Sequence, residues 1–267
     1  MTRIVRKVPS AGRQSHIRKR IATEPGVTVA QMARELGVSA MTIRRDLAAL
    51  EGMAHIRRTH GGAVLAERML LEFDYRDRMY HNQAAKQAIA LAARKLVQPG
   101  QRVMLDNGTT ALALASLLGD CTNLTVITPS LAVASELQHA AGVEVILLGG
   151  IIRRGSPDLT GPVTEHCLDL FAVDISFQGA DGIGANGRIY TEDIRMAKVD
   201  RLMRQTADHT CILADHTKIG RTALACCGSL KEVDTLITDA GAPAASLRRY
   251  AKMGVRIIRA PLPTTSS

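Results

Sequence analysis

The residues best suited to chemistry in this 267-residue chain stand in five short segments, each at the end of an apolar run. The first, Asp106-Asn107-Gly108-Thr109-Thr110, follows Val103-Met104-Leu105. Gly108 allows close approach to the backbone. A helix starting there offers free N–H groups and a positive dipole end, and Thr109 and Thr110 add hydroxyls. That combination suits a phosphate; it also suits an ordinary capped strand–helix turn. The second segment, Thr128-Pro129-Ser130, repeats the capping hydroxyl. The third is Gly149-Gly150-Ile151-Ile152-Arg153-Arg154, continued by Asp158-Leu159-Thr160-Gly161-Pro162. The fourth is Gln178-Gly179-Ala180-Asp181-Gly182-Ile183, and the fifth runs from Ala214 to Arg221. In the fifth, Lys218 can meet an anion as a point charge or stand solvated in its loop. Asp106 and Asp181 are the carboxylates that a proton-abstracting enzyme would use.

A second set of chemically apt residues sits near the N-terminus. The first 68 positions hold 13 of the 34 Lys and Arg against 5 Asp and Glu; the other 199 are nearly balanced. A basic arm on a neutral body points to nucleic acid. A solvated basic tail has the same charge, so the pattern within the arm decides.

That pattern predicts three helices and a wing. Residues 13–23 carry Ile17 and Ile21 on one face and stop at Pro25-Gly26. Thr28 starts a second helix with Gln31 at capping-box spacing, Val29, Met32, Ala33 and Leu36 in one stripe, and Gly37 at its end. Ser39 caps a third helix, with Ile43, Leu47 and Leu50 inward and Met41, Thr42, Arg44, Arg45 and Ala48 outward. Two helices joined by a short Gly-containing turn, the second with a basic outer face, suit the major groove of duplex DNA. Residues 54–64 read as a β-wing laying Arg57, Arg58 and His60 on phosphates, or as a linker with solvated charges. Asp46 is placed to orient Arg45 or to pair with a basic residue elsewhere in the domain.

The run Val38-Ser39-Ala40-Met41-Thr42-Ile43-Arg44-Arg45-Asp46-Leu47, with Arg58-Thr59-His60-Gly61-Gly62-Ala63 after it, resembles the signature of the DeoR family of bacterial transcription regulators. The resemblance implies a winged helix-turn-helix over residues 10–65. Its DNA contacts are expected from Thr28, Ser39, Met41, Thr42, Arg44, Arg45, Arg57, Arg58 and His60.

Residues 66–82 read as a partly helical linker. Beyond them, Ala85, Ile89, Ala92, Ala93 and Leu96 form a helical stripe ended by Pro99-Gly100. Strands (103–105, 124–128, 143–148) then alternate with helices (110–118, 131–139), which predicts a parallel sheet covered on both faces. Further strands are expected at 233–238 and 255–258, with a helix near 244–251. Ligands in such sheets bind beyond the C-terminal strand ends, where the five segments stand. A helix after Asp193 carries Arg195, Lys198, Arg201 and Arg204 on its charged face. These read as solvated and paired with Glu192, Asp193 and Asp200, ahead of a second DNA contact.

In order and spacing the five segments are similar to the DeoR-family sensing domain. The resemblance implies an α/β sensor over residues 83–260, similar in fold to ribose-5-phosphate isomerase but without its activity, followed by a flexible tail at 261–267. It implies a phosphorylated sugar or polyol as effector, with Gly108, Thr109 and Thr110 on the phosphate. Asp106, Asn107, Thr128, Ser130, Gly150, Asp181 and Lys218 are expected around the rest of it. Asn107 stands where the family often has Ser, Pro129 where it has Asn, and Thr217, after His216, where it has Ser. Ile175 and Gln178 also depart from the family run.

Five cysteines fit neither zinc spacing nor a disulfide framework, so a reducing, cytoplasmic setting is expected, with no metal and no cofactor. No Trp, three Phe and four Tyr argue against base-stacking platforms for single strands. No apolar run reaches membrane-spanning length, and no signal peptide is read. The resulting expectation is a repressor of a carbohydrate or polyol catabolic operon, binding double-stranded operator DNA as a homo-oligomer, dimer or tetramer. The rivals are a sugar-phosphate isomerase and an architectural DNA-binding protein. The first gives the basic arm no purpose, and the second gives none to the loops.

Overall fold

Thr28 starts the first complete helix by satisfying two backbone groups at once. Its hydroxyl accepts from the Gln31 amide at 3.2 Å, and the Gln31 side chain accepts from the Thr28 amide at 2.8 Å. Helix α1 (Val29–Leu36) ends at Gly37, whose φ of 62° lies in the left-handed region open to glycine. Ser39 Oγ then accepts from the Thr42 amide at 3.1 Å and opens α2 (Ala40–Glu51). The apolar stripes of both helices close on Ile17: Val29, Met32, Ile43 and Leu47 are buried with it, and Ala33, Leu36 and Val38 pack around them. Asp46 is buried and takes Arg13, Nε to Oδ2 at 2.8 Å and Nη2 to Oδ1 at 3.1 Å. Of its two expected roles, pairing with a basic residue elsewhere in the domain is the one seen. Strands β1 (Ile56–Thr59) and β2 (Gly62–Leu65) pair antiparallel, with Arg57 opposite Val64 and Arg58 opposite Ala63.

This computed structural model describes residues 13, 14, 16, 17, 20, 28–51, 56–59, 62–65, 75 and 78–262, without the side chains of 48–51, 56–59 and 62–65. The helix end at Pro25-Gly26, the side chains of Ala48, Leu50, Arg57 and Arg58, the position of His60, most of 66–77 and the tail at 263–267 therefore lie outside the described residues. The chain divides into two compact units, Met1–Asp74 and Tyr75–Ser267.

The second unit is built on a seven-stranded sheet. Helix α3 (Gln83–Arg94) leads into β3 (Arg102–Leu105), α4 (Thr109–Ala115), β4 (Leu124–Thr128), α5 (Leu131–Leu137) and β5 (Val143–Leu147). A short pair, β6 (Ile151–Ile152) and β7 (Leu159–Thr160), precedes α6 (Pro162–Leu168) and β8 (Ile175–Gly179). Then come β9 (Gly182–Ile183), β10 (Arg188–Thr191), α7 (Ile194–Gln205), β11 (Thr210–Leu213), β12 (Ala225–Ser229), β13 (Thr235–Asp239), α8 (Ala244–Ala251) and β14 (Arg256–Ala260). The large sheet runs β14-β13-β11-β8-β3-β4-β5, every pair parallel. Strands β12-β10-β9 form a separate antiparallel sheet.

Alternation along the central strands explains why both faces are covered. Val103, Leu105, Val126, Cys211, Leu213 and Ile237 bury on one face with residues of α3, α4 and α5. Met104, Ile127, Ile212 and Leu236 bury on the other, against α6, α7 and α8. A strand apolar at successive positions cannot leave either face in water, and each such side chain stabilises the fold by roughly 1.5–3 kcal/mol. Among the described residues no helix is long and apolar enough to cross a membrane.

The topology also fixes where a ligand can enter. From β3 the chain builds outward through β4 and β5; from β8, which flanks β3 on its other side, it builds through β11, β13 and β14. The strand order therefore reverses between β3 and β8. In open α/β sheets, ligands bind outside the carboxyl ends of the strands at such a switch point.

Candidate functional site

On the first unit, Thr28, Ser39, Met41, Arg44 and Arg45 are exposed and Thr42 is half-buried. Met41 is 62% exposed, so an apolar side chain stands in water next to two arginines at the start of α2. Apolar contact and bidentate donors at the front of a helix are the groups that read base edges. Arg57 and Arg58 lie on the wing strand β1.

At the switch point of the second unit, Asp106 ties the two central strands together. Its Oδ1 accepts from the Gly108 amide at 2.9 Å and its Oδ2 from the Gly179 amide at the end of β8. It is 4% exposed, and burial pushes its pKa up to about 6; the two amides oppose that rise, and the carboxylates of Asp181 and Asp158 add to it. Asn107, Gly108 and Thr109 are half-buried above it, and Thr110 is buried at the start of α4. The first amides of that helix have no intrahelical acceptor.

Four other strand ends supply the surroundings. Thr128 Oγ1 accepts from the Ser130 amide at 3.0 Å and Ser130 Oγ from the Val133 amide at 3.3 Å, with both residues fully buried. Their hydroxyls thus shape the turn from β4 into α5. Gly150 has φ 146°, and a Cβ there would collide with the Thr164 hydroxyl, so the loop after β5 accepts nothing larger. Asp181 takes Arg78 Nη1 at 3.2 Å, the Glu192 amide at 2.8 Å and the Thr191 hydroxyl at 3.4 Å. Lys218 is half-buried and has no carboxylate partner among the described residues. It sits in a turn opened by Asp215, whose Oδ1 accepts from the Thr217 amide at 2.9 Å.

Several residues of this site were given no role from the sequence, although Arg153 and Asp158 stand in the third segment. Asp158 is fully buried and receives Arg153 in a fork, Nε at 2.8 Å and Nη2 at 2.5 Å. Ser156 Oγ, at 2.8 Å, and the Asn107 amide complete its shell. The Asn that replaces the family's Ser thus holds a buried carboxylate. Tyr75 and Arg78, from the segment read as linker, also belong to this unit. Tyr75 is 7% exposed and its hydroxyl has no partner among the described residues. Burial pushes its pKa up to about 12; Asp106 and Asp158 add to the rise, and Arg78 opposes it. Arg and Asp at a spacing of five, and a lone Tyr in a charged stretch, carry no sequence signal of such convergence.

One expectation fails. Arg204, read as part of a solvated face, is buried and donates to Gln178 Oε1 at 2.8 Å and to the Cys227 carbonyl. Gln178, a departure from the family run, supplies the polar acceptor inside the sheet that makes burial of a guanidinium tolerable. Lys198 and Arg195 keep the surface role, paired with Glu165 and Asp193.

A DeoR C terminal sensor domain is matched at residues 81–240 and a DeoR-like helix-turn-helix domain at residues 13–69. The chain belongs to the DeoR family of transcription regulators. This regulator is 34% identical over 248 residues to a putative aga operon transcriptional repressor of Escherichia coli O157:H7, covering 92% of each chain. It is 31% identical over 217 residues to the glycerol-3-phosphate regulon repressor of Escherichia coli K12, covering 81% of this chain and 86% of that one. Among solved structures, it is similar to a D-ribose-5-phosphate isomerase in complex with phospho-erythronic acid, at TM-score 0.38 and 16% identity over half of each chain. That level of likeness establishes no shared chemistry.

Proposed function

We propose that this regulator represses a carbohydrate or polyol catabolic operon. It binds double-stranded operator DNA through Thr28, Ser39, Met41, Thr42, Arg44 and Arg45, with Arg57, Arg58 and His60 of the wing on phosphates. A phosphorylated sugar or polyol bound in the second unit controls it. The observation that carries the reading is the switch-point crevice, where half-buried Gly108 and Thr109 and the start of α4 stand beside Asp106 and Asp181. Gly108, Thr109 and Thr110 take the phosphate, and Lys218 contributes a positive charge. Asn107, Thr128, Ser130 and Gly150 set the walls. Relatives named as repressors of the aga operon and the glycerol-3-phosphate regulon support the class of genes.

The ligand is bound and released unchanged in this reading. Asp106 and Asp181, the base candidates read from the sequence, are held by backbone amides and Arg78, which suits carboxylates that position loops. The protein works as a homo-oligomer, since two half-sites on a duplex need two recognition helices.

A thermal-shift panel tests the reading. Phosphorylated sugars, polyol phosphates and glycerol phosphate are compared with their unphosphorylated parents. A ligand at 100 times its Kd adds about 2.7 kcal/mol to stability. A rise with a phosphorylated compound and none with its parent is expected. Equal rises with both, or none with any, would remove the phosphate cradle.

A further inference from the structure

Two buried polar atoms near Asp106 and Asp181 have no hydrogen-bond partner among the described residues. The Tyr75 hydroxyl has no partner among the described residues, on a side chain 7% exposed. Arg78 Nε is buried and equally unpartnered, although its Nη1 reaches Asp181. Leaving such a group unpaired costs about 1–3 kcal/mol, so each calls for a partner such as a ligand. The surroundings say which. Asp181, partnered by Arg78 and the least buried of the nearby carboxylates, is an acceptor, which favours a ligand that carries hydroxyls. The Thr109 hydroxyl, at the phosphate cradle, donates to the Arg78 carbonyl at 3.5 Å. The same short stretch is pinned to the sensor at two further points. Lys86 Nζ donates to the carbonyls of Arg78 and His81, and Asn82 Nδ2 donates to Asp215 Oδ1 at 3.4 Å.

We propose that Tyr75 and Arg78 are effector ligands, Tyr75 donating to a hydroxyl of the phosphorylated polyol and Arg78 exchanging Asp181 for its phosphate. This rests on the crevice being the effector site. It gives the effector a grip on residues that lie at most four positions from the unit boundary at Asp74. Moving the Arg78 guanidinium off Asp181 also frees that carboxylate from its one side-chain cation among the described residues. A ligand that favours the exchanged arrangement thereby biases the stretch of chain leading back to the DNA-binding unit.

The test uses the full chain with ribose 5-phosphate, fructose 1-phosphate, glycerol 3-phosphate, their parents and inorganic phosphate as probes, in calorimetric titration and thermal unfolding. Tyr75→Phe is expected to bind the responding compound about tenfold more weakly, with inorganic phosphate unaffected. Its ligand-free unfolding midpoint should be equal or higher, because no partner is lost. Arg78→Gln is expected to weaken both the compound and inorganic phosphate. Wild-type affinity in either variant overturns the assignment of that residue, and a lower ligand-free midpoint for Tyr75→Phe would make its role structural. Thr109→Val separates the two levels. If it abolishes binding while Tyr75→Phe and Arg78→Gln bind normally, this inference alone falls. If all three bind normally, the crevice is not the effector site.

Discussion

The two units hold their candidate contact residues in opposite ways. On α2, Met41 and Arg45 are exposed on a helix whose other face is packed on Ile17 and Met32. In the sensor, the charged groups at the crevice are engaged by the fold itself. Asp106 joins two strands, Asp158 is clasped by Arg153, Ser156 and Asn107, and Asp181 is held by Arg78 and the Glu192 amide. An exposed contact residue can be removed at the cost of that contact alone. A buried one takes part of the fold with it. An exchange at Asn107 would therefore also disturb Asp158, and one at Gln178 would disturb Arg204.

The sharpest way to break this contrast is Asp158→Ala. It leaves half-buried Arg153 with only Asp193 in place of its main partner, and loss of one half of a buried ion pair costs up to about 3–5 kcal/mol. Thermal unfolding should show a large fall in sensor stability; a fall below about 1 kcal/mol would mean the crevice network is no more critical than a surface pair. Arg45→Ala is the matching exchange on the other side. Operator affinity should drop by about 1–3 kcal/mol, or by a shallower salt slope if Arg45 sits on a phosphate, with the unfolding midpoint unchanged. An altered midpoint with unaltered affinity would reverse the contrast.

The smallest expected effect is on pH. Asp200 is half-buried, and loss of solvent pushes its pKa up to about 8, with Asp106 adding to the rise and Arg204 opposing it. A carboxyl raised in the folded state contributes stability that is full below its unfolded pKa near 4 and is lost as pH rises through the folded value. Asp106, at about 6, has completed that loss by neutral pH. Between pH 6.5 and 8.5 the wild type should therefore lose stability, and Asp200→Asn should lose less. Identical slopes would remove Asp200 from the account.

The legibility of the chain follows the same division. The helix-turn-helix is contiguous: its caps at Thr28 and Ser39, its breaker at Gly37 and its apolar stripes lie within about 20 residues, so local rules suffice. Five of the seven strands of the parallel sheet were legible from alternating apolar runs; β8 and β11 were read only through the loops at their ends. The antiparallel sheet of β9, β10 and β12 was not, because its strands are two to five residues long and mix Gly, Cys and Arg. The convergence of Tyr75, Arg78, Arg153 and Asp158 was not either. Tertiary packing collects those residues from segments up to 83 positions apart, and no period or spacing records it. Arg204 shows the converse error. Helical spacing placed it with solvated charges, and the buried Gln178 acceptor drew it inward.

The central claim is that one phosphorylated ligand in the crevice governs DNA binding. The most direct measurement is the affinity of the full chain for DNA upstream of its own gene and neighbouring operon, titrated with the compound that responds in the thermal panel. Wild type and Thr109→Val are to be run side by side. The account predicts equal operator affinity without ligand, a ligand-dependent shift in wild type, and loss of that shift in Thr109→Val. An undiminished shift in Thr109→Val, or an equal shift with the unphosphorylated parent, would contradict it.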